Sequence, residues 1–534
     1  MRIARIGRVA IPVCFLAVFF GWPLEAIFAH SLRPGAIADV VTDPALRRVA
    51  WFTLWQAVVS TSATLAVGLP AAYVVARYDF PGRRLFRAFV TVPFVLPTVV
   101  VATAFLALLQ PGGPMAFLHW RTGVGPLLIA HVFFNVAVVV RTVGGFWANL
   151  DPRREEAARM LGASRARAFL GVTLPLLAPS IIAAASIVFL FTFTSFGIAL
   201  LLAGPAHATI EVEIYRQAFD FFDLRTAAAL ALLQIVAVLA VVFTLGKAQE
   251  RRGIAQRLVG AVDSARRPRG REKLLVGAVI GATSLFLGAP LAVLIWRSLH
   301  IGRHWSLGSY RALGSSASAT TLFVSPWAAV RNSIEFAVIA TAIALFVGGL
   351  ASVAIAARPG RATRTMDAFL MLPLGTSAVT VGFGFLLASE HVPRSVANSW
   401  LLVPIAHAVV AIPFVVRAVV PVLRSIDPRL RDAATMLGAA PRRVWREVDL
   451  PIVTRAFAVA AGFCAAVSLG EFGATLFISR PEWPTVPIAI SRFLGKVGQI
   501  YFDQALAMSV ILMLLTAGAV FAIERVRVRD LGEF

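Results

Sequence analysis

Runs of about twenty apolar residues recur along the whole chain, each as long as a helix must be to cross roughly 30 Å of hydrocarbon. A backbone in that medium has to satisfy its own hydrogen bonds, so the runs predict helices and not strands or loops. Twelve candidate spans can be read. In the first half they cover residues 9–28, 51–75, 88–109, 127–146, 176–202 and 226–245. In the second half they cover 274–296, 334–356, 368–388, 400–420, 456–478 and 505–523. The expected fold is therefore an all-α membrane protein of about 12 transmembrane helices. A mean hydropathy of +0.81 with 59% hydrophobic and only 14% charged residues is far from the soluble norm and agrees. The two cysteines, Cys14 and Cys464, fall within apolar runs without metal-ligand spacing and read as small buried hydrophobes.

A formal charge of +23 would suggest a nucleic-acid partner in a soluble protein. Here the basic residues stand in short loops between apolar runs, which is how a multi-pass protein fixes its orientation. The partner they imply is membrane lipid, with no nucleic acid. Arg2, Arg5 and Arg8, then Arg83, Arg84 and Arg87, then Arg358, Arg361 and Arg364, and last Arg525, Arg527 and Arg529 fall on one side if the spans alternate. That side is the cytoplasm, and both termini lie on it. The loop 203–225, with Glu211, Glu213, Asp220 and Asp223, then lies outside; Arg303, Arg311 and Arg331 lie outside too and oppose the rule locally. The first apolar run is long enough to span and shows no small-residue cleavage site, so it reads as an uncleaved first helix.

Residues 246–273 are polar and basic, and divide a first repeat at 1–245 from a second at 274–534 as a cytoplasmic linker. The repeats match at a fixed offset of 276, the difference between Gly438 and Gly162. The same shift carries Pro97 to Pro373, His131 to His407, Arg141 to Arg417, Asp151-Pro152 to Asp427-Pro428, Phe196-Gly197 to Phe472-Gly473 and Arg216 to Arg492. Polar and Pro/Gly landmarks that keep register mark a duplication. Six spans per half is an even number, so the halves run parallel, related by an axis along the membrane normal, and can enclose a central path.

One charged segment is written twice: "EEAARMLGASRARAFLGVTLP" from Glu155 and "RDAATMLGAAPRRVWREVDLP" from Arg431. Each falls on the cytoplasmic side, between spans four and five or ten and eleven. Asp151 or Asp427 is placed to cap a helix whose first residue is proline. Acidic residues follow in the first turn of the first copy. Gly162 or Gly438 then offers a chain reversal. The pattern predicts a protruding helix-turn-helix; the alternative is an amphipathic loop lying on the membrane surface.

"EAARMLGASRARAFLGVTLP" resembles the E-A-A, three residues, G, [ILV]-x-[LIV]-P signature of the permease subunits of bacterial ATP-binding-cassette importers. The resemblance implies two parallel six-helix permease repeats of the type I importer fold, with Glu156, Ala157, Ala158 and Gly162 in an ATPase-docking element. The second copy supplies Asp432, Ala433, Ala434 and Gly438, with aspartate where the family usually has glutamate. It further implies a cytoplasmic ABC ATPase dimer, an extracytoplasmic substrate-binding protein and a bacterial inner membrane. No G-x-x-x-x-G-K-[ST] loop occurs. The expectation is that the chain is not an enzyme and holds no cofactor, ATP and Mg being bound by the partner ATPase.

Two permease halves in one chain resemble the thiamine and ferric-iron importer permeases over nearly the whole length. "LLIAHVFFNVAVVVRTV" from Leu127 and "ATIEVEIYRQAFDFFDLRTAAALALLQ" from Ala208 look closest to the thiamine type, while "SLGEFGATLF" from Ser468 is similar to oxyanion permeases as well. The resemblance implies a small cationic cargo, thiamine or a thiamine phosphate, with ferric iron as the alternative. Glu471, an ionisable group inside an apolar span, is the substrate-path candidate together with its uncharged repeat mate Ser195. A carboxylate bonded to nearby backbone or paired with a base is the structural alternative. His131 and His407 match across the repeat and suit helix packing or hydrogen bonding better than a metal. Arg141 and Arg417 snorkel to the interface. Of the other function classes, an ATP-independent carrier would lack the paired docking loops. A membrane enzyme would need an acid/base or metal-spaced constellation, and the spans show none.

Overall fold

A computed structural model describes residues 2–32, 35–252, 265–302, 304–314, 322–357 and 360–528. The chain is an all-α membrane protein. Among the described residues ten helices are long and apolar enough to cross a membrane: Val9–Ser31, Pro44–Arg77, Val124–Ala148, Arg165–Phe193, Leu224–Thr244, Arg271–Ser298, Pro326–Ala357, Leu402–Ser425, Pro441–Gly470 and Gln499–Phe521. Exposed side chains such as Val236, Leu239, Phe243, Leu285 and Phe346 give these helices an apolar outer surface, as lipid requires. Cys464 is buried as expected, but Cys14 is exposed on the first helix.

The spans expected at 88–109 and 368–388 are not single helices. Arg83–Val95 turns through 101° into Thr98–Leu109, and Thr363–Gly375 turns through 97° into Ala378–His391. The first bend has a local cause: Pro97 excludes helical backbone at Leu96, which is extended. Each first arm is amphipathic, with Phe86 and Val90, or Met366 and Leu370, turned inward. The second arms are core: Val99 through Leu109 are all buried. At 1.5 Å per residue such a 12-residue helix is about 18 Å long, too short to span alone. Breaks also interrupt the spans expected at 176–202 and 456–478. Those helices end at Phe193 and Gly470, and short helices Gly197–Leu202 and Gly473–Ile478 follow.

Packing repeats with the sequence. Pro44–Arg77 lies along Val124–Ala148, and Pro326–Ala357 along Leu402–Ser425. A side chain on Gly68 would meet Val139 Cβ at 2.7 Å, and one on Gly348 would meet Val415 Cβ at 2.8 Å. Val139 and Val415 are repeat mates, so both halves use a glycine to bring the same helix pair together.

The first helix of each half is exchanged. Trp22–Ser31 packs on Ala378–Ala388 of the second half, and Arg271–Ser298 packs on Thr98–Leu109 of the first. Gly384 admits this contact, since a Cβ there would lie 2.7 Å from the Pro23 carbonyl oxygen. On the other side buried Arg297 donates from Nη1 to the Ala107 carbonyl at 2.8 Å and from Nη2 to the Pro111 carbonyl at 3.1 Å. It supplies one of the last carbonyls of Thr98–Leu109, that of Ala107, with a donor and fastens the turn just beyond the helix through Pro111.

The helix Leu224–Arg252 continues beyond residue 245, and residues 253–264 of the expected linker lie outside the described residues, as do Arg303, Arg358 and Arg529. The far end of the linker is fastened to the first half. Arg266 N donates to the Arg77 carbonyl at 3.1 Å and Asp79 N to the Arg266 carbonyl at 3.0 Å. The Arg266 guanidinium stands 5.2 Å from the Tyr78 ring centre and also pairs with Glu272. The acidic loop expected at 203–225 contains a helix, Ile210–Phe219, and its Glu211 and Glu213 are 0% and 8% exposed. Their alternation with Ile210, Val212 and Ile214, all buried, belongs to a helix whose first half is enclosed on every side.

Candidate docking loops and translocation path

The two charged segments fold alike. Asp151 Oδ1 accepts from Arg153 N at 3.0 Å, and Asp427 Oδ1 from Arg429 N at 2.9 Å. Helices Arg153–Met160 and Pro428–Met436 follow. Gly162 and Gly438 then take φ of +90° and +78°. Gly162 N donates to Arg159 O and Ala163 N to Ala158 O; Gly438 N donates to Thr435 O and Ala439 N to Ala434 O. This pair of bonds is the left-handed C-terminal cap that glycine permits. A second short helix, Arg165–Ala168 or Pro441–Val444, leads into the next span.

Exposure also follows the repeat. Glu156, Ala157 and Gly162 are exposed and Ala158 half-buried; Asp432, Ala433, Gly438 and Ala434 are the same in turn. The tips carry an apolar pair that the signature residues do not include. Met160 and Leu161 are 88% and 90% exposed, and their mates Met436 and Leu437 are both 89% exposed. Two large apolar side chains bare at the end of each polar protrusion form a knob without an intramolecular socket.

Beneath each knob the loop is pinned to the helix it leads into, with the carboxylate on the loop in the first copy and on the helix in the second. In the first copy the Thr173 hydroxyl donates to Glu155 Oε2 at 2.8 Å, and Arg77 Nη2 stands 3.9 Å from the same oxygen. In the second copy Arg431 Nε donates to Asp449 Oδ1 at 2.7 Å. Glu155 and Arg431 are repeat mates, as are Thr173 and Asp449. Arg83 donates from Nε and Nη2 to the Val75 carbonyl, at 3.1 and 2.9 Å, so this arginine cluster shares one end of the molecule with Arg77 and the first loop.

At their far ends the pinned helices reach the breaks that hold Ser195 and Glu471. His131 links Ser60 and Ser195, with Nδ1 at 3.1 Å from Ser60 Oγ and Nε2 at 2.8 Å from Ser195 Oγ. His407 bonds Ser468 Oγ through Nδ1 and Thr475 Oγ1 through Nε2, both at 2.8 Å. Each histidine thus ties a break to a straight span, and among the described residues no group of three or more His, Cys, Asp or Glu stands together. Glu471 is 9% exposed, and its Oε1 accepts from Ala474 N at 2.9 Å across the break.

Phe196 and Phe472 follow directly. These repeat mates stack on one another, centres 5.4 Å apart and planes 26° apart. Two mates that touch mark the axis between the halves, so the breaks meet where a central path has to run. Tyr215 lies 6.0 Å from Phe196 and 6.1 Å from Phe477, closing the position further. Glu211, which the sequence places in a loop, is enclosed beside them: its Oε1 accepts from Gln234 Nε2 and its Oε2 has no hydrogen-bond partner.

The sequence has recognisable relatives. Residues 66–253 match the family model of binding-protein-dependent transport system inner membrane components. The thiamine transport system permease protein ThiP of Brucella abortus is 27% identical over 502 residues, 91% of this chain and 89% of its own length. Its counterpart in Escherichia coli K12 is 24% identical over 90% of this chain and 89% of its own length. The sulfate transport system permease protein CysT of Salmonella typhimurium is 34% identical over 231 residues, 42% of this chain and 82% of its own length.

Proposed function

This chain belongs to the family of binding-protein-dependent transport system inner membrane components, and from that premise we propose that it is the permease subunit of an ABC importer for thiamine or a thiamine phosphate. It is a multi-pass inner-membrane transport subunit. In the proposed assembly a cytoplasmic ATPase dimer, which binds ATP and Mg, grips the two protrusions, and an extracytoplasmic binding protein delivers the cargo. Both termini then face the cytoplasm. The single observation behind this reading is the pair of matched protrusions with bare Met-Leu tips. Relatives named for thiamine that align over nearly the whole chain support the cargo.

The geometry suits mechanical coupling. Each protrusion is pinned at its base to a long helix, Arg165–Phe193 or Pro441–Gly470. Those helices end at the breaks beside the Phe196–Phe472 stack, so a displacement of the loops is carried as rigid-body motion to the axis. ATP-driven closure of the ATPase draws the loops together and opens the path outward; hydrolysis returns it inward. Glu156 and Asp432, exposed in the first turns, are placed to meet the partner, and no covalent chemistry falls to this chain.

Purified chain in vesicles, combined with the ATPase and binding protein from neighbouring reading frames, is expected to take up radiolabelled thiamine only with ATP inside the ATPase compartment. Uptake driven by an ion gradient without the ATPase refutes the importer reading. ATP-dependent uptake of ferric iron with no uptake of thiamine replaces the cargo.

A further inference from the structure

The helix Ile210–Phe219 of the first half packs on Ala378–Ala388 of the second, so Glu211 stands at the seam between the halves. Its carboxyl group lies in reach of the Ser377 hydroxyl and within electrostatic range of Glu471. The backbone contacts agree. A Cβ on Gly473 would meet Val379 Cγ2 at 3.1 Å and Ala378 Cβ at 3.5 Å, which sets the second break against the start of the helix that Ser377 caps. Two carboxyl groups, one from each half, are thus enclosed together, 0% and 9% exposed.

Glu471 is served by the backbone of its own break, Ala474 N donating to its Oε1, whereas Glu211 is not fully met from within. Among the described residues no basic side chain bears on either group. Glu211 Oε2 has no hydrogen-bond partner, and neither has Oε1 of the Gln234 amide that serves its other oxygen. An enclosed carboxylate without a counter-charge is costly, and either a proton or a cation relieves it. Aromatic rings adjoin them. Phe472 is the next residue after Glu471, stacked on Phe196, and Tyr215 follows Glu211 by one helical turn on the same side. Ring faces favour cations, so these aromatic neighbours suit a positive charge once the stack parts.

We propose that Glu211 and Glu471, with Gln234 and Ser377 beside them and Phe196 and Tyr215 alongside, form a transient site for an organic cation at the seam between the halves. The site is occluded while Phe196 and Phe472 stack, and it opens when they part. The inference rests on the reading of the cargo as cationic; it adds where the positive charge is held during passage and by which half-pair. Because one carboxyl group comes from each half, separating the halves divides the site and releases the ion.

The test uses the full chain with its ATPase and binding protein in vesicles, and radiolabelled thiamine as probe. Glu211→Gln keeps an acceptor for Gln234 but removes the charge, whereas Glu211→Asp keeps the charge but shortens the side chain. The expected result is a fall in ATP-dependent uptake of about tenfold or more for Glu211→Gln and Glu471→Gln, with Glu211→Asp retaining more than Glu211→Gln. A packing role gives the opposite order. Uptake by Glu211→Gln within about twofold of the unaltered chain, or the opposite order, overturns the site. If Glu211→Gln does not elute as a single folded species, Glu471→Gln decides alone, since Gln retains an acceptor for Ala474 N. Should the unaltered chain carry some other solute and not thiamine, the cargo reading falls; undiminished uptake of that solute by the variants then overturns the site separately.

Discussion

Replacing Leu161 and Leu437 together by alanine probes the docking loops where they have most to lose. Both side chains are about nine-tenths exposed, so the isolated chain gains almost nothing from them. A partner that engulfs the tip buries each one. Leucine to alanine removes three carbons, worth about 0.8 kcal/mol each on burial, or about 2 kcal/mol per loop. That is about a 30-fold loss in affinity for one loop. In the proposed assembly the loops are two handles on one ATPase dimer, so a single substitution is partly masked by the intact partner and the double variant is the informative one. The assay is titration of fluorescent ATPase onto the chain in nanodiscs, with the thermal midpoint of the chain alone as control. The expected outcome is weakened binding at an unchanged midpoint. Binding of the double variant within about twofold of the original refutes the knob-and-socket reasoning, and a midpoint that falls by several degrees shows that the leucines serve the fold instead.

Gly162→Leu and Gly438→Leu meet no neighbour within 4 Å, so their cost is backbone strain at positive φ, about 1–2 kcal/mol. It is expected as reduced co-purification of the ATPase with the chain still inserted. Arg431→Glu sets a carboxylate against buried Asp449; after allowance for the exposed part of Arg431, a loss of about 1–2 kcal/mol is expected. Adding Asp449→Thr recreates the Glu-Thr pair of the first loop, and recovery of the thermal midpoint checks it. Arg297→Met removes its bonds to the Ala107 carbonyl, in the last turn of Thr98–Leu109, and to the Pro111 carbonyl just beyond. A loss of about 1.5–3 kcal/mol per charged hydrogen bond is expected, read as a lower midpoint for the whole chain.

Much of this architecture was legible because hydropathy and the 276-residue register are properties of single residues and of their spacing. The two protrusions could be found the same way, since Asp151-Pro152, Gly162 and their mates write the cap, turn and stop in local code. What escaped depends on direction and on distant partners. A hydropathy window over 88–109 cannot register that the chain swings through 101° within it; only the Pro97 landmark hinted at the bend. Glu211 read as an outer-loop acid because Glu213, Arg216 and Asp220 surround it in sequence. The available signal was Gln234, a polar residue inside an apolar span that required a buried partner. Arg297, just past the end of its expected span, carried no sequence signal because its two acceptors lie nearly two hundred residues away.

The exchange of first helices also bears on how the protein is made. Pro23 leaves the ribosome 361 residues ahead of Gly384, the residue it must nestle against. At about 5–20 residues per second that interval is roughly 20–70 s. Throughout it the leading helix sits in the bilayer with its eventual contact surface bathed in lipid, and the newborn first repeat lacks its outer wall until Arg271–Ser298 arrives. Insertion therefore ends in a mutual clasp instead of the docking of two finished bodies, and neither repeat alone can complete the exchanged contacts.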